Sequence, residues 1–203
     1  MILIGIGSKA RQGKDIVASV WKEAIPELKK YSFAEEIKLY CRDHHDQLLP
    51  EWQRHHQTKH MPFFKEDSIY NYPAILQWYG KWAQDKDENV WIRKVAEKLA
   101  ADSPPIAAIT DVRYILEAQF VRANGGFMVE VLRKNPAGSR YIDPTRDPFH
   151  PTETGLDDYT FDYTITARSG DLVSLKTKAL GVLKNIVSSC ANVDGDTNDY
   201  IVF

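Results

Sequence analysis

The chain has 203 residues, of which 43% are hydrophobic and 27% charged, with a formal net charge of −2. That length suits one domain with a small insertion, and the near-neutral balance argues against a nucleic-acid polymer or an anionic membrane as partner. Two cysteines, Cys41 and Cys190, show no Cys-x-x-Cys spacing, which excludes a disulfide framework and a zinc knuckle.

Met1 to Gly7 reads as a buried strand, because a β-branched apolar run leads into glycines. The loop Ser8-Lys-Ala-Arg-Gln-Gly-Lys-Asp15 follows, and Ile16, Val17, Val20, Trp21, Ala24 and Ile25 continue as one apolar helical face. Strand, glycine-bearing loop and helix make a phosphate cradle, in which backbone N–H groups and a lysine meet an anion. The G-x-x-x-x-G-K-[ST] pattern is met at Gly13 and Lys14, while Ser8 replaces the first glycine and Asp15 replaces the magnesium-binding hydroxyl.

Beyond a break at Ile25-Pro26, Tyr31 to Phe33 is expected to be a short strand, with a helix from Ala34 to about Asp43. The pattern weakens from 44 to 71, and helical periodicity returns at Ala74 to Trp82 and Val90 to Ala101, which predicts a mostly helical insertion over 34–101. His44, His45, Asp46, His55, His56 and His60 lie in the weak stretch, without convincing metal-ligand spacing. Ile106 to Thr110 reads as a buried parallel strand ending at Asp111, Tyr114 to Ala123 as a helix stopped by Asn124-Gly125-Gly126, and Phe127 to Leu132 as a further strand. A polar, proline-bearing segment then carries Arg133, Lys134, Arg140 and Arg146, with Arg133 and Arg140 the preferred cations of a lid over 133–159. Phe161 to Ile165 is a last strand and Asp171 to Val187 a last helix. Alternating strands and helices predict a three-layer α/β fold with a central, mostly parallel sheet in a single domain, 1–203. Asp111 and Arg113, at the carboxyl end of a parallel strand, are candidates to hold magnesium or orient a phosphate, and to fork onto phosphate oxygens, respectively. A helix cap and a structural ion pair are the alternatives for these two residues. The apolar run at the start is too short for a signal-peptide core, so a cytoplasmic protein is expected.

The ordered set of Ser8–Asp15, Ser32-Phe-Ala-Glu-Glu-Ile-Lys38, Leu76-Gln-Trp-Tyr-Gly80, Val90-Trp91, Asp111–Ala118 with Gly125-Gly126, and Glu153–Asp162 resembles the phage-type deoxynucleoside monophosphate kinases of the P-loop kinase superfamily. The resemblance implies ATP-dependent phosphorylation of a deoxynucleoside 5′-monophosphate to the diphosphate, with Mg2+, in the host cytoplasm if the chain is phage-encoded. It allows a homodimer. It also implies roles: Arg11, Gln12, Gly13, Lys14, Asp15, Ile16 and Arg140 on ATP, with Lys14, Asp111, Arg113 and Arg133 serving transfer. Phe33, Lys38, Gln77, Trp78, Arg113 and Glu117 fall to the monophosphate, and Asp15 and Asp111 to the metal. The alternatives are a small-molecule kinase acting on a dephospho-coenzyme A-like or modified nucleotide acceptor, and a nucleotide-binding protein without turnover.

Overall fold

A computed structural model describes residues 1–44 and 73–191, leaving out the side chains of residues 73–75 and of Gln77. Five strands, β1 (Ile2–Gly7), β2 (Lys29–Tyr31), β3 (Ile106–Val112), β4 (Phe127–Lys134) and β5 (Tyr163–Arg168), form one sheet in the order β2-β3-β1-β4-β5. Every pairing is parallel. The helices are α1 (Lys14–Ala24), α2 (Phe33–Asp43), α3 (Pro73–Lys86), α4 (Val90–Asp102), α5 (Ile115–Ala123), the short α6 (Pro151–Thr154) and α7 (Leu172–Ala191).

The central strands are apolar on both faces because helices cover both, as a parallel sheet requires. Ile4 and Ile6 of β1 point to one face, where they pack with Val17 and Trp21 of α1 and Leu175, Ala179 and Leu183 of α7. The Trp21 indole N–H donates to the Ala179 carbonyl at 2.8 Å, so the largest buried side chain of α1 has its polar atom satisfied on α7. On the opposite face, α5 packs against β1 and β4 around Leu3, Val121 and Met128. This is a three-layer α/β fold of P-loop-like form.

Several boundaries differ from expectation. Residues 29–31, not 31–33, form β2, because Ser32 caps α2: its hydroxyl accepts from the Glu35 N–H at 3.2 Å, and Phe33 becomes the first helical residue. Ile16 leaves the buried face of α1, since a helix opening at Lys14 directs Val17, Val20 and Trp21 inward. β4 runs two residues and β5 three residues further than their apolar patterns, because pairing with each other satisfies their polar ends through Lys134 and Arg168.

Contacts divide the chain into two compact units, Met1–Tyr31 with Ser103–Phe203, and Ser32–Asp102. The first holds the sheet. In the second, Tyr40 stacks on Tyr79 with centroids 5.0 Å apart, Trp91 meets Tyr79 edge-on at 5.9 Å, and the Trp91 indole donates to the Gly80 carbonyl at 3.2 Å. His44 stacks on Tyr40; His45, Asp46, His55, His56 and His60 lie outside the described residues.

Candidate functional site

In this sheet the chain leaves the adjacent strands β1 and β3 toward opposite faces, into α1 and α5. Open α/β sheets form their ligand crevice at such a switch point, outside the carboxyl ends of the strands. Residues 8–13 and Asp111–Arg113 therefore belong to one neighbourhood although about a hundred positions separate them. The register of β1 against β3 shifts between Gly5, opposite Ile109, and Gly7, opposite Val112, so β3 carries one extra residue at Thr110 and Asp111. A bulge there re-aims the side chains of the strand end. Gly7 is required by close packing: a Cβ there would stand 2.7 Å from the Phe161 ring.

Gly13 ends the loop at φ 105 and ψ 10, a left-handed conformation that glycine adopts without Cβ strain. The turn lets α1 start at Lys14, and the Gly13 carbonyl already accepts from the Ile16 and Val17 amides. Unpaired N–H groups of a first helical turn favour an anion. Lys14 Nζ lies 2.7 Å from Asp15 Oδ1, and the Asp15 side chain is 81% exposed. An exposed pair like this contributes little and exchanges readily for a stronger anion.

The loop is held from outside, residue by residue. Lys9 pairs with Asp157 at 2.6 Å. The Ala10 amide donates to Glu153 Oε2 at 2.8 Å. Arg11, itself at φ 55, pairs through Nε with Asp143 at 3.1 Å. Gln12, 3% exposed, donates from Nε2 to the Tyr141 carbonyl at 2.6 Å and accepts the Arg133 amide on Oε1 at 2.6 Å. The amide and hydroxyl of Thr145, together with Arg11, hold the Asp143 carboxyl below its ordinary range. Ser8 contrasts with all of these, because its Oγ is buried without a hydrogen-bond partner among the described residues.

Several residues to which the resemblance gives ligand roles make such contacts. The Gln12 amide group is engaged as a strut between the Tyr141 carbonyl and the Arg133 amide. Arg133 donates from Nε to Ser169 Oγ at 2.8 Å, and its guanidinium lies over the Tyr141 ring at 4.1 Å. Arg140 pairs with Glu130 of β4, which also accepts from Thr164 of β5, so its guanidinium is engaged on the β4–β5 side of the sheet. The segment expected to be a lid is bonded to the loop at Tyr141, Asp143, Glu153 and Asp157, while Ile142 and Phe149 on it are exposed.

At the β3 end, Arg113 Nη1 lies 3.4 Å from Glu153 Oε1 and donates to the Thr152 carbonyl at 3.2 Å. Glu117, only 5% exposed, accepts from the Arg113 amide at 2.6 Å and the Tyr114 amide at 3.1 Å. Its carboxyl caps α5 and holds the backbone at Arg113 and Tyr114. Burial raises its pKa to about 8 against those two donors, with the Asp111 charge adding to the rise.

The remaining predicted residues belong to the second unit. Phe33 is buried, Lys38 pairs loosely with Glu35 at 3.6 Å, and Trp78 is half-buried beside Trp82 at 6.1 Å. Gln77 lies in α3, its side chain outside the described residues. Glu153 opens the acidic segment of the resemblance but receives no role there; it sits in a four-residue helix 143 positions from Ala10, and nothing local signals that contact.

Magnesium is bound through one or two carboxylates completed by phosphate oxygens and water. The exposed Asp15 carboxylate, together with Asp111, fits that donor set. Among the described residues, no three His, Cys, Asp or Glu side chains stand together as a protein-only metal cage.

No protein-family model and no curated protein sequence matches the chain. Among solved structures, that of TT1252 from Thermus thermophilus matches with a TM-score of 0.50 at 12% identity, covering 91% of this chain and 97% of that one. At such identity the likeness is one of fold. Among the described residues, no helix is long and apolar enough to cross a membrane.

Proposed function

We propose that the chain is an ATP-dependent kinase of deoxynucleoside 5′-monophosphates. The observation that carries this reading is the left-handed Gly13 immediately before Lys14, where α1 opens at the carboxyl end of the central strand. That arrangement favours a polyphosphate, because amide dipoles and an ammonium converge on one point.

Phosphoryl transfer asks a protein for alignment and charge neutralisation more than for covalent chemistry. Lys14 would leave Asp15 for the β- and γ-phosphates, and the amides of residues 11–15 would cradle them. Arg113, held only loosely by Glu153, is available to the acceptor phosphate as a bidentate donor. The resemblance gives Phe33, Lys38, Gln77 and Trp78 of the second unit to the monophosphate. Asp15 and Asp111 would hold Mg2+, which supplies charge neutralisation on the donor phosphates when bound. ATP and a deoxynucleoside monophosphate are the partners, and the cytoplasm is the proposed location.

The test is purified protein with ATP, Mg2+ and a panel of canonical and modified deoxynucleoside monophosphates, read by diphosphate formation. At least one acceptor should be converted. Lys14→Ala should lower turnover by about 100-fold or more, as loss of a charge that acts mainly in the transition state. ATP binding without transfer to any acceptor would instead favour the non-catalytic reading, to which Ser8 and Asp15 lend support as departures from the motif.

A further inference from the structure

Glu153 is buried, and a buried carboxylate needs partners for its charge. It has two from distant parts of the chain. Oε2 takes the Ala10 amide of the phosphate loop at 2.8 Å, and Oε1 faces Arg113 Nη1 of the β3 end at 3.4 Å. Main-chain packing reinforces the link: a Cβ on Gly155 would lie 2.6 Å from the Arg113 carbonyl oxygen, so the turn after α6 is seated on the Arg113 backbone. The Thr152 carbonyl of α6 accepts from Arg113 as well, at 3.2 Å. The loop and the β3 end thus share one carboxylate, and no other hydrogen bond described here joins Ala10 to that end of the sheet.

We propose that Glu153 is a positioning residue that couples Arg113 to the phosphate loop, so that an anion arriving at Arg113 is registered at Ala10. A phosphate that draws Arg113 away leaves the carboxylate to the Ala10 amide, strengthening that charge-assisted bond and stiffening the loop. Stiffening in turn favours the second ligand, because less ordering remains to be done when it binds. The identity of the two anions, an acceptor monophosphate and ATP, rests on the function proposed above; the coupling itself does not.

Two measurements on the full chain separate these. Amide hydrogen exchange over residues 7–14 without ligand reads the coupling directly. Glu153→Gln should speed exchange several-fold and Arg113→Gln should slow it, and with Glu153→Gln already in place Arg113→Gln should add little. No change in either single variant, or effects that multiply, would overturn the proposal. Calorimetry with a non-hydrolysable ATP analogue and the monophosphates reads the linkage: in the native chain each ligand should tighten the other by about 5-fold or more. In Glu153→Gln that factor should fall toward one, and undiminished coupling there would overturn the role of Glu153 while leaving the kinase reading intact. If the native chain binds neither ligand, the kinase reading fails and hydrogen exchange alone decides Glu153. Glu153→Asp keeps the charge but is one methylene too short to serve both partners; it should lose the coupling too, and serves if Glu153→Gln does not fold.

Discussion

Replacing Gln12 by alanine should destabilise the protein before any ligand is considered. The side chain is 3% exposed and bonds at 2.6 Å to both the Tyr141 carbonyl and the Arg133 amide. Truncation would leave two backbone groups without partners in a partly buried site. A hydrogen bond contributes a net of about 0.5–1.5 kcal/mol, and an orphaned buried group costs about 1–3 kcal/mol. Partial access of water lowers the upper figure, so a total of about 2–4 kcal/mol is expected. For a chain of this size that corresponds to a fall in Tm of roughly 4–16 °C. Thermal melting of the ligand-free protein, followed by circular dichroism, measures it. Gln12→Glu sharpens the test, since the carboxylate still accepts from Arg133 but meets the Tyr141 carbonyl with no donor. Only its protonated form can donate there, so its folded-state pKa is raised and stability should return as pH falls through the carboxyl range. A Gln12→Ala protein that melts with the native chain would refute the strut.

Gly13→Ala should cost about 1–3 kcal/mol for a non-glycine residue at this φ, and should weaken binding of an ATP analogue through loss of loop geometry. Its Cβ would also stand 3.3 Å from Leu175 Cδ2, which melting and calorimetry together would register. Ser8→Ala removes a buried hydroxyl that has no partner among the described residues, so the ligand-free protein should become more stable by about 1 kcal/mol; a lower Tm would show that Oγ is bonded. Glu117, raised to about 8, binds more protons folded than unfolded between its ordinary range and that value. Its contribution is therefore fully present at acid pH and declines as pH rises toward 8. Chemical denaturation from pH 5 to 8 should show a steeper loss in the native chain than in Glu117→Gln, and parallel profiles would refute the assignment.

The strands and helices of the sheet-bearing unit were legible because their patterns are local. The apolar run of β1 and the apolar spacing around Trp21 report burial within a few residues of themselves, and the Asn124-Gly125-Gly126 stop reports a helix end. Boundaries slipped where a polar residue served a local purpose, as Ser32 does in capping α2, or where pairing carried β4 and β5 past their apolar stretches.

By itself, then, the sequence determined the α/β class, the strand-loop-helix at residues 1–25 and the placing of Asp111 and Arg113 at a strand end. The tertiary structure decided what the polar side chains do. Whether Gln12 faces a ligand or a carbonyl, whether Glu117 is a cap, and whether Glu153 matters at all depend on which backbone groups need partners once the chain is packed. Such partners come from anywhere along the chain: Ala10 is satisfied from 143 positions away and Gln12 from 121 and 129. Apolar burial repeats with the period of a helix or strand and leaves its trace in sequence, whereas a single long-range hydrogen bond has no period to read.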